Sequence, residues 1–139
     1  VCECRKDRGW DQGRSLFPYH GTVGSALWMV KKDGRTEFVR FFARQMKENQ
    51  RAFLKRMAPE CIVPVPLHPV KQRVRGFNQA ELLARALEEE IGIPVRCLLK
   101  KHKKTKDQKS LNKNQRMKNV KDAFIVDEEV LGEQIFFTS

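Results

Sequence analysis

The sequence is short of several things, and each shortage narrows what the chain can be. No stretch approaches the roughly 18 consecutive apolar residues that a membrane-spanning helix needs. The segment from Val1 to His20 holds no continuous apolar run, so it does not read as a secretory signal. Cysteine is scarce and wrongly spaced for a disulfide framework. Of four cysteines only Cys2 and Cys4 are neighbours, while Cys61 and Cys97 sit in apolar stretches that read as core strands. A reducing, cytoplasmic setting is therefore the expectation. Acidic residues are the other shortage: 17 Asp and Glu face 28 Lys and Arg, a formal net charge of +11. That surplus favours polyanionic partners such as nucleic acid, phosphorylated metabolites or an anionic membrane face. The chain opens on Val1 rather than Met, from which a missing upstream segment is expected.

What is present suits one domain of 139 residues, 40% of them apolar, with a small appendage. Residues 1–14 are polar and hold the Cys2-Cys4 pair; the domain is expected over 15–139. Leu16 to Lys32 is mixed and leaves strand and helix both open. Asp33-Gly34 signals a turn, and Thr36 suits an N-cap. The spacing of Phe38, Phe41, Phe42, Met46, Phe53, Leu54 and Met57 predicts an amphipathic helix from Glu37 to about Met57, with the phenylalanines in the core. Asn49-Gln50 interrupts that face, so a bend or division is expected there. Trp10 and Trp28 offer faces on which a base could stack, but burial or partial burial is the plainer expectation for both.

After Pro59 the texture changes. Cys61–Leu67 is short, apolar and β-branched, as a buried parallel strand should be, with Pro64 and Pro66 toward its C-terminal mouth. A basic loop, His68–Gly76, carries Lys71, Arg73 and Arg75 at alternate positions. Asn78 then caps a helix with Leu83, Ala86, Leu87 and Ile91 on one face, Glu81 paired to Arg85 on the other, and Gly92 as its stop. Val95–Leu99 reads as a second strand, which completes a βαβ unit. From Lys100 to Lys121 there are nine Lys and one Arg against a single Asp, the composition of a mobile, solvated loop. Ala123–Val126 and Gln134–Phe137 read as short strands.

A strand that runs into a basic, glycine-containing loop and then a helix is a phosphate-binding arrangement. Free backbone N–H groups and the positive end of the helix dipole face the anion. Lys71, Arg73 and Arg75 would supply charge, the arginines in bidentate fashion. Gly76 would admit close approach, and Asn78 or Gln79 would orient a hydroxyl or phosphate. The bland alternative is a solvated connection. Lys100, Lys101, Lys103, Lys104, Lys106 and Lys109 likewise form either an electrostatic track for a nucleic-acid backbone or a lysine-rich loop with no ligand.

The run PVPLHP (Pro64–Pro69) followed by RGFNQAELLARAL (Arg75–Leu87) resembles the signature of the ComF family. So does the later series Thr105, Gln108, Leu111, Arg116, Asn119-Val120 and Ala123-Phe124, in that order. The resemblance covers Ile62 to Phe124 and implies an α/β, type I phosphoribosyltransferase-like fold, a parallel sheet flanked by helices. It implies that His68–Gln79 holds the pyrophosphate of phosphoribosyl pyrophosphate. Lys100–Lys121, with Thr105, Gln108, Arg116 and Asn119, would be the flexible loop that closes over that ligand and excludes water.

The resemblance further implies a part in natural transformation, handling incoming single-stranded DNA beside other competence proteins such as a DNA-translocating helicase. The alternative it carries is ribosyl transfer from phosphoribosyl pyrophosphate to an unidentified acceptor. The family's ribose-phosphate loop, two acids and a Thr-Thr-Gly-x-Thr turn, has no counterpart here. Gly132–Phe137 could begin its strand, but Thr138-Ser139 follows. The sheet is thus expected to be incomplete at its C-terminal side, and DNA binding is favoured over transfer. The family's N-terminal four-cysteine zinc knuckle is reduced to Cys2-x-Cys4, so zinc is expected only in a full-length parent, since a structural site takes four ligands.

Overall fold

The computed structural model describes residues 13–105 and 111–127. Its elements run α1 (Gly21–Asp33), α2 (Thr36–Asn49), α3 (Arg51–Met57), α4 (Pro69–Arg75), α5 (Gln79–Ile91), β1 (Leu99–Lys101), α6 (Lys113–Val120) and β2 (Phe124–Val126). The open segment before residue 33 is a helix, and the long helix expected after it is divided at Gln50 into α2 and α3. α2 starts at Thr36 itself, behind Arg35 and without a side-chain cap, so Thr36 is not the N-cap. Arg35 instead pairs with Glu37.

The core lies where α2 packs on α5 and α1 closes over them. Val30, Val39, Ala43, Ala86 and Leu87 are buried together, with Phe38, Met46, Ile62, Leu82, Leu83 and Ile91 around them. Alanine at positions 43, 84 and 86 lets the helices approach closely. Phe42 is buried and meets Phe17 and Phe41 edge-on, at 6.2 and 5.6 Å between ring centres. Phe41 is half exposed, against the expectation that all the phenylalanines are core. It precedes Phe42 by one position on a helix whose buried face is narrow.

The parallel strand pair reduces to one bridge among the described residues. Ile62 N–H donates to the Pro94 carbonyl and Arg96 N–H donates to Ile62, both at 2.9 Å. The reason lies in the prolines. On the edge that faces the second segment the next donors after Ile62 would be residues 64 and 66, and both are prolines without an N–H. The ladder stops where it begins. The second segment instead ends in β1, which pairs antiparallel with β2 in the register Leu99–Val126, Lys100–Ile125, Lys101–Phe124. The strand expected over Gln134–Phe137 and the polar segment up to residue 12 lie outside the described residues.

The basic stretch 100–121 is not one loop. Lys100 and Lys101 belong to β1, and α6 opens on a reciprocal capping box. Asn112 Oδ1 accepts from Gln115 N–H at 2.9 Å, and Gln115 Oε1 accepts from Asn112 N–H at 3.0 Å. His68–Gly76 is likewise helical. His68 Nδ1 accepts the Val70 N–H at 3.3 Å, Pro69 stands at the first helical position, and Gly76 closes α4 at φ +83°. The Glu81–Arg85 pair does not form; Arg85 reaches Glu88 at 3.1 Å.

Two predictions follow from how the helices are tied off. Gly34 ends α1 at φ +63°, and a Cβ there would lie 3.2 Å from the Phe77 ring. Gly34→Ala should therefore cost about 1–2 kcal/mol for the left-handed residue alone, read as a lower urea midpoint at unchanged slope. Glu88 accepts the Val95 N–H at 2.9 Å, and that bond, then Arg85, holds its carboxyl below the ordinary glutamate range. A depressed carboxyl stabilises fully above its unfolded value, about 4.3, and the gain is lost as pH falls through the folded value. The thermal midpoint should drop on acidification below about pH 4.3, and less steeply in Glu88→Gln, as circular-dichroism melts from pH 3 to pH 7 would show.

Candidate functional site

The segment Pro64–Pro69, the start of α5 and the β1–β2 hairpin enclose an open cleft of about 510 Å³. Asn78 fixes one wall. Its Nδ2 donates to the Val65 carbonyl at 3.0 Å and its Oδ1 accepts from Ala80 N–H at 3.1 Å, with the side chain buried. The expected cap is thus present, and the same residue ties the extended segment to α5. Pro64, Pro66, Leu67, Leu99 and Ile125 give the cleft an apolar lining. Its charge comes from the hairpin and α5: Lys100, Lys101, Asp127 and Glu81.

Lys101 is the centre of this charge. Its Nζ donates to Thr105 Oγ1 at 2.8 Å and lies 5.4 Å from the centre of the Phe124 ring. Burial, and after it the positive charge of Lys71, hold the Lys101 ammonium below the ordinary lysine range. α4 and β1 therefore bring two cations together. Lys100 is paired with Asp127 at 2.9 Å. Glu81 Oε1 accepts from the Cys97 Sγ at 3.8 Å, and desolvation followed by that carboxylate pushes the thiol above its usual range.

The helical form of 69–75 redistributes the expected phosphate-binding residues. At about 100° per residue, Lys71 and Arg75 share a face, and both are half-buried; Arg73 points away and is exposed. Arg75 Nη1 donates to Gln79 Oε1 at 2.5 Å, so these two hold each other. Of the flexible-loop residues, Thr105 is buried beneath Lys101, while Arg116 and Asn119 stand on α6. Lys103 and Lys104 are exposed just past β1. Gln108, Lys106 and Lys109 lie outside the described residues, as do Cys2 and Cys4. Among the described residues no cluster of three or more His, Cys, Asp or Glu could hold a metal. Cys61 is half-buried and Cys97 exposed, so neither is the core residue that its apolar neighbours suggest; the strand that would have covered Cys97 ends at the bridge.

The sequence reading missed Asp127 and His102 as lining residues of the cleft. Asp127 follows β2 directly, and its N–H donates to Leu98 at 2.8 Å. Only the strand register brings it diagonally across from Lys100, and no local pattern encodes that register.

No family model matches the chain, and no solved structure does. Curated relatives do match. The chain is 42% identical to Competence protein F of Haemophilus influenzae over 67 residues, 48% of this chain and 29% of that protein. It is 29% identical to Competence protein ComFC of Bacillus subtilis over 102 residues, 71% of this chain and 40% of that protein. The chain thus spans less than half the length of either relative. With the proline-rich segment and the Asn78-capped helix in place, these matches to curated competence proteins support a ComF-family assignment for the chain.

Proposed function

We propose that this chain serves DNA uptake in natural competence, in the cytoplasm, by binding single-stranded DNA through basic elements on a phosphoribosyltransferase-like fold. The relatives it matches are both named competence proteins. The observation that carries the DNA reading is the pair Lys100 and Lys101 lining the cleft, in a chain of net charge +11. Lys103 and Lys104 continue the positive path along the chain, exposed to a passing phosphate backbone. Nothing in the sequence resembles a groove-reading helix, so binding is independent of base sequence.

The second reading is phosphoribosyl transfer from phosphoribosyl pyrophosphate to an unidentified acceptor. The cleft itself favours it, because its volume suits a small phosphorylated ligand and the Ile62–Val95 bridge is parallel, as a phosphoribosyltransferase-like sheet requires. In that reading Lys71, Arg73, Arg75, Gly76, Asn78 and Gln79 surround the pyrophosphate, with the arginines stabilising its developing charge.

Binding of a labelled single-stranded oligonucleotide across a salt series separates the two, with phosphoribosyl pyrophosphate as competitor. The DNA reading predicts binding that weakens steeply with salt and is untouched by the competitor. Lys103→Glu with Lys104→Glu should lower the salt slope by about 1.4, two phosphate contacts at about 0.7 each. An unchanged slope would take the DNA away from these lysines. Displacement by phosphoribosyl pyrophosphate would favour the transfer reading.

A further inference from the structure

The end of α1 meets the end of α4 at a second, shallower depression of about 290 Å³, lined by Trp28, Lys31, Lys32, Val74 and Arg75. Trp28 is 51% exposed and Val74 86% exposed, so this tryptophan is only partly buried. An indole left half in water forgoes much of the largest hydrophobic gain that any side chain offers. The surroundings are cationic. The Lys32 ammonium lies 4.9 Å from the centre of the Trp28 ring, and Lys31 and Arg75 flank it. Among the described residues no carboxylate lines the depression.

We infer that Trp28 is a stacking platform for one unpaired base of single-stranded DNA, with Lys31, Lys32 and Arg75 receiving the phosphates on either side of it. The inference rests on the DNA reading above and adds to it a site remote from the Lys100–Lys101 cleft in its lining residues. The chemistry agrees on each count. An exposed aromatic face beside a row of cations is how sequence-tolerant single-strand binding is built: each base has a π-face, and the cations follow the backbone. The depression is smaller than the usual small-molecule pocket, about 300–1,000 Å³, and open. It therefore suits one base of a passing strand better than an enclosed metabolite. A base inside a duplex is covered on both faces, so this platform selects single strands. Lys32, on a flexible four-carbon stem, already sits against the ring and can turn to an adjoining phosphate when a base takes its place.

The order of the platform comes from the fold. Gly34 closes α1 six residues beyond Trp28 and sits against Phe77, which follows the Gly76 cap of α4. That contact sets α1 beside α4 and brings Trp28 to Val74 and Arg75. Arg75 is held in turn by Gln79.

The test uses the full chain carrying Trp10→Phe, so that Trp28 is the sole source of indole fluorescence. Titration with an oligothymidylate at low salt should quench that emission with the same midpoint as the anisotropy of a labelled strand. Trp28→Ala should weaken binding about 5- to 150-fold, the range for one stacked base, at an unchanged salt slope. An abasic oligonucleotide of equal length should bind the Trp28→Ala variant and the parent alike, and Trp28→Phe should recover part of the loss. Binding with no quenching, and with equal affinity in Trp28→Ala, would overturn the platform while leaving the DNA reading intact. No binding of any oligonucleotide by the parent chain would overturn both.

Discussion

Two hydrogen bonds from one buried side chain hold the functional half of the chain in place. Asn78 donates to the Val65 carbonyl and accepts from Ala80 N–H, so the proline-rich segment and the start of α5 are fixed to each other. The segment needs this, because Pro64 and Pro66 deny it a ladder. A strand with a full set of N–H groups would be held by its neighbour; this one is held by a single bridge and a single amide. α4 hangs between the two anchored ends, and the cleft lies beneath it. A buried amide satisfied on both sides is worth more than its two bonds suggest, since loss of either partner leaves a polar group stranded.

Electrostatics is what the helix α4 then distributes. In an extended loop, Lys71, Arg73 and Arg75 would point the same way. Wound into a helix they divide: Lys71 approaches Lys101 of the hairpin, Arg75 turns toward Gln79 and the Trp28 depression, and Arg73 stands in solvent. One short basic run therefore serves two neighbouring surfaces. A net charge of +11 is felt as two local concentrations of cations, each with an apolar or aromatic lining, the combination that holds a flexible polyanion better than charge alone.

Much of this was legible in the sequence where the determinant is local. Asn78 before an apolar-periodic run, Gly92 after it, and the Asn49-Gln50 interruption each mark a helix boundary within a few residues, and each holds. The Asn112–Gln115 box was equally local and was passed over because lysines dominate its surroundings. The alternate spacing of Lys71, Arg73 and Arg75 suggested a loop, whereas His68 and Pro69 together start a helix. What the sequence hid is what depends on distant partners. Cys97 looked like core but is exposed, the extent of Trp28's exposure depends on α4, and the Lys100–Asp127 pair exists only through the strand register. The family signature was readable because it is a string; the geometry it produces was not.

The account's central claim is that single-stranded DNA lies along the α4–β1 side of the molecule. Lysine acetylation footprinting by mass spectrometry, with and without a saturating oligonucleotide, tests it most directly. The account predicts that Lys71, Lys103 and Lys104 lose reactivity when DNA is bound, while Lys47 and Lys55, on α2 and α3, react as before. Protection of Lys47 and Lys55 with Lys71, Lys103 and Lys104 unaffected would contradict it.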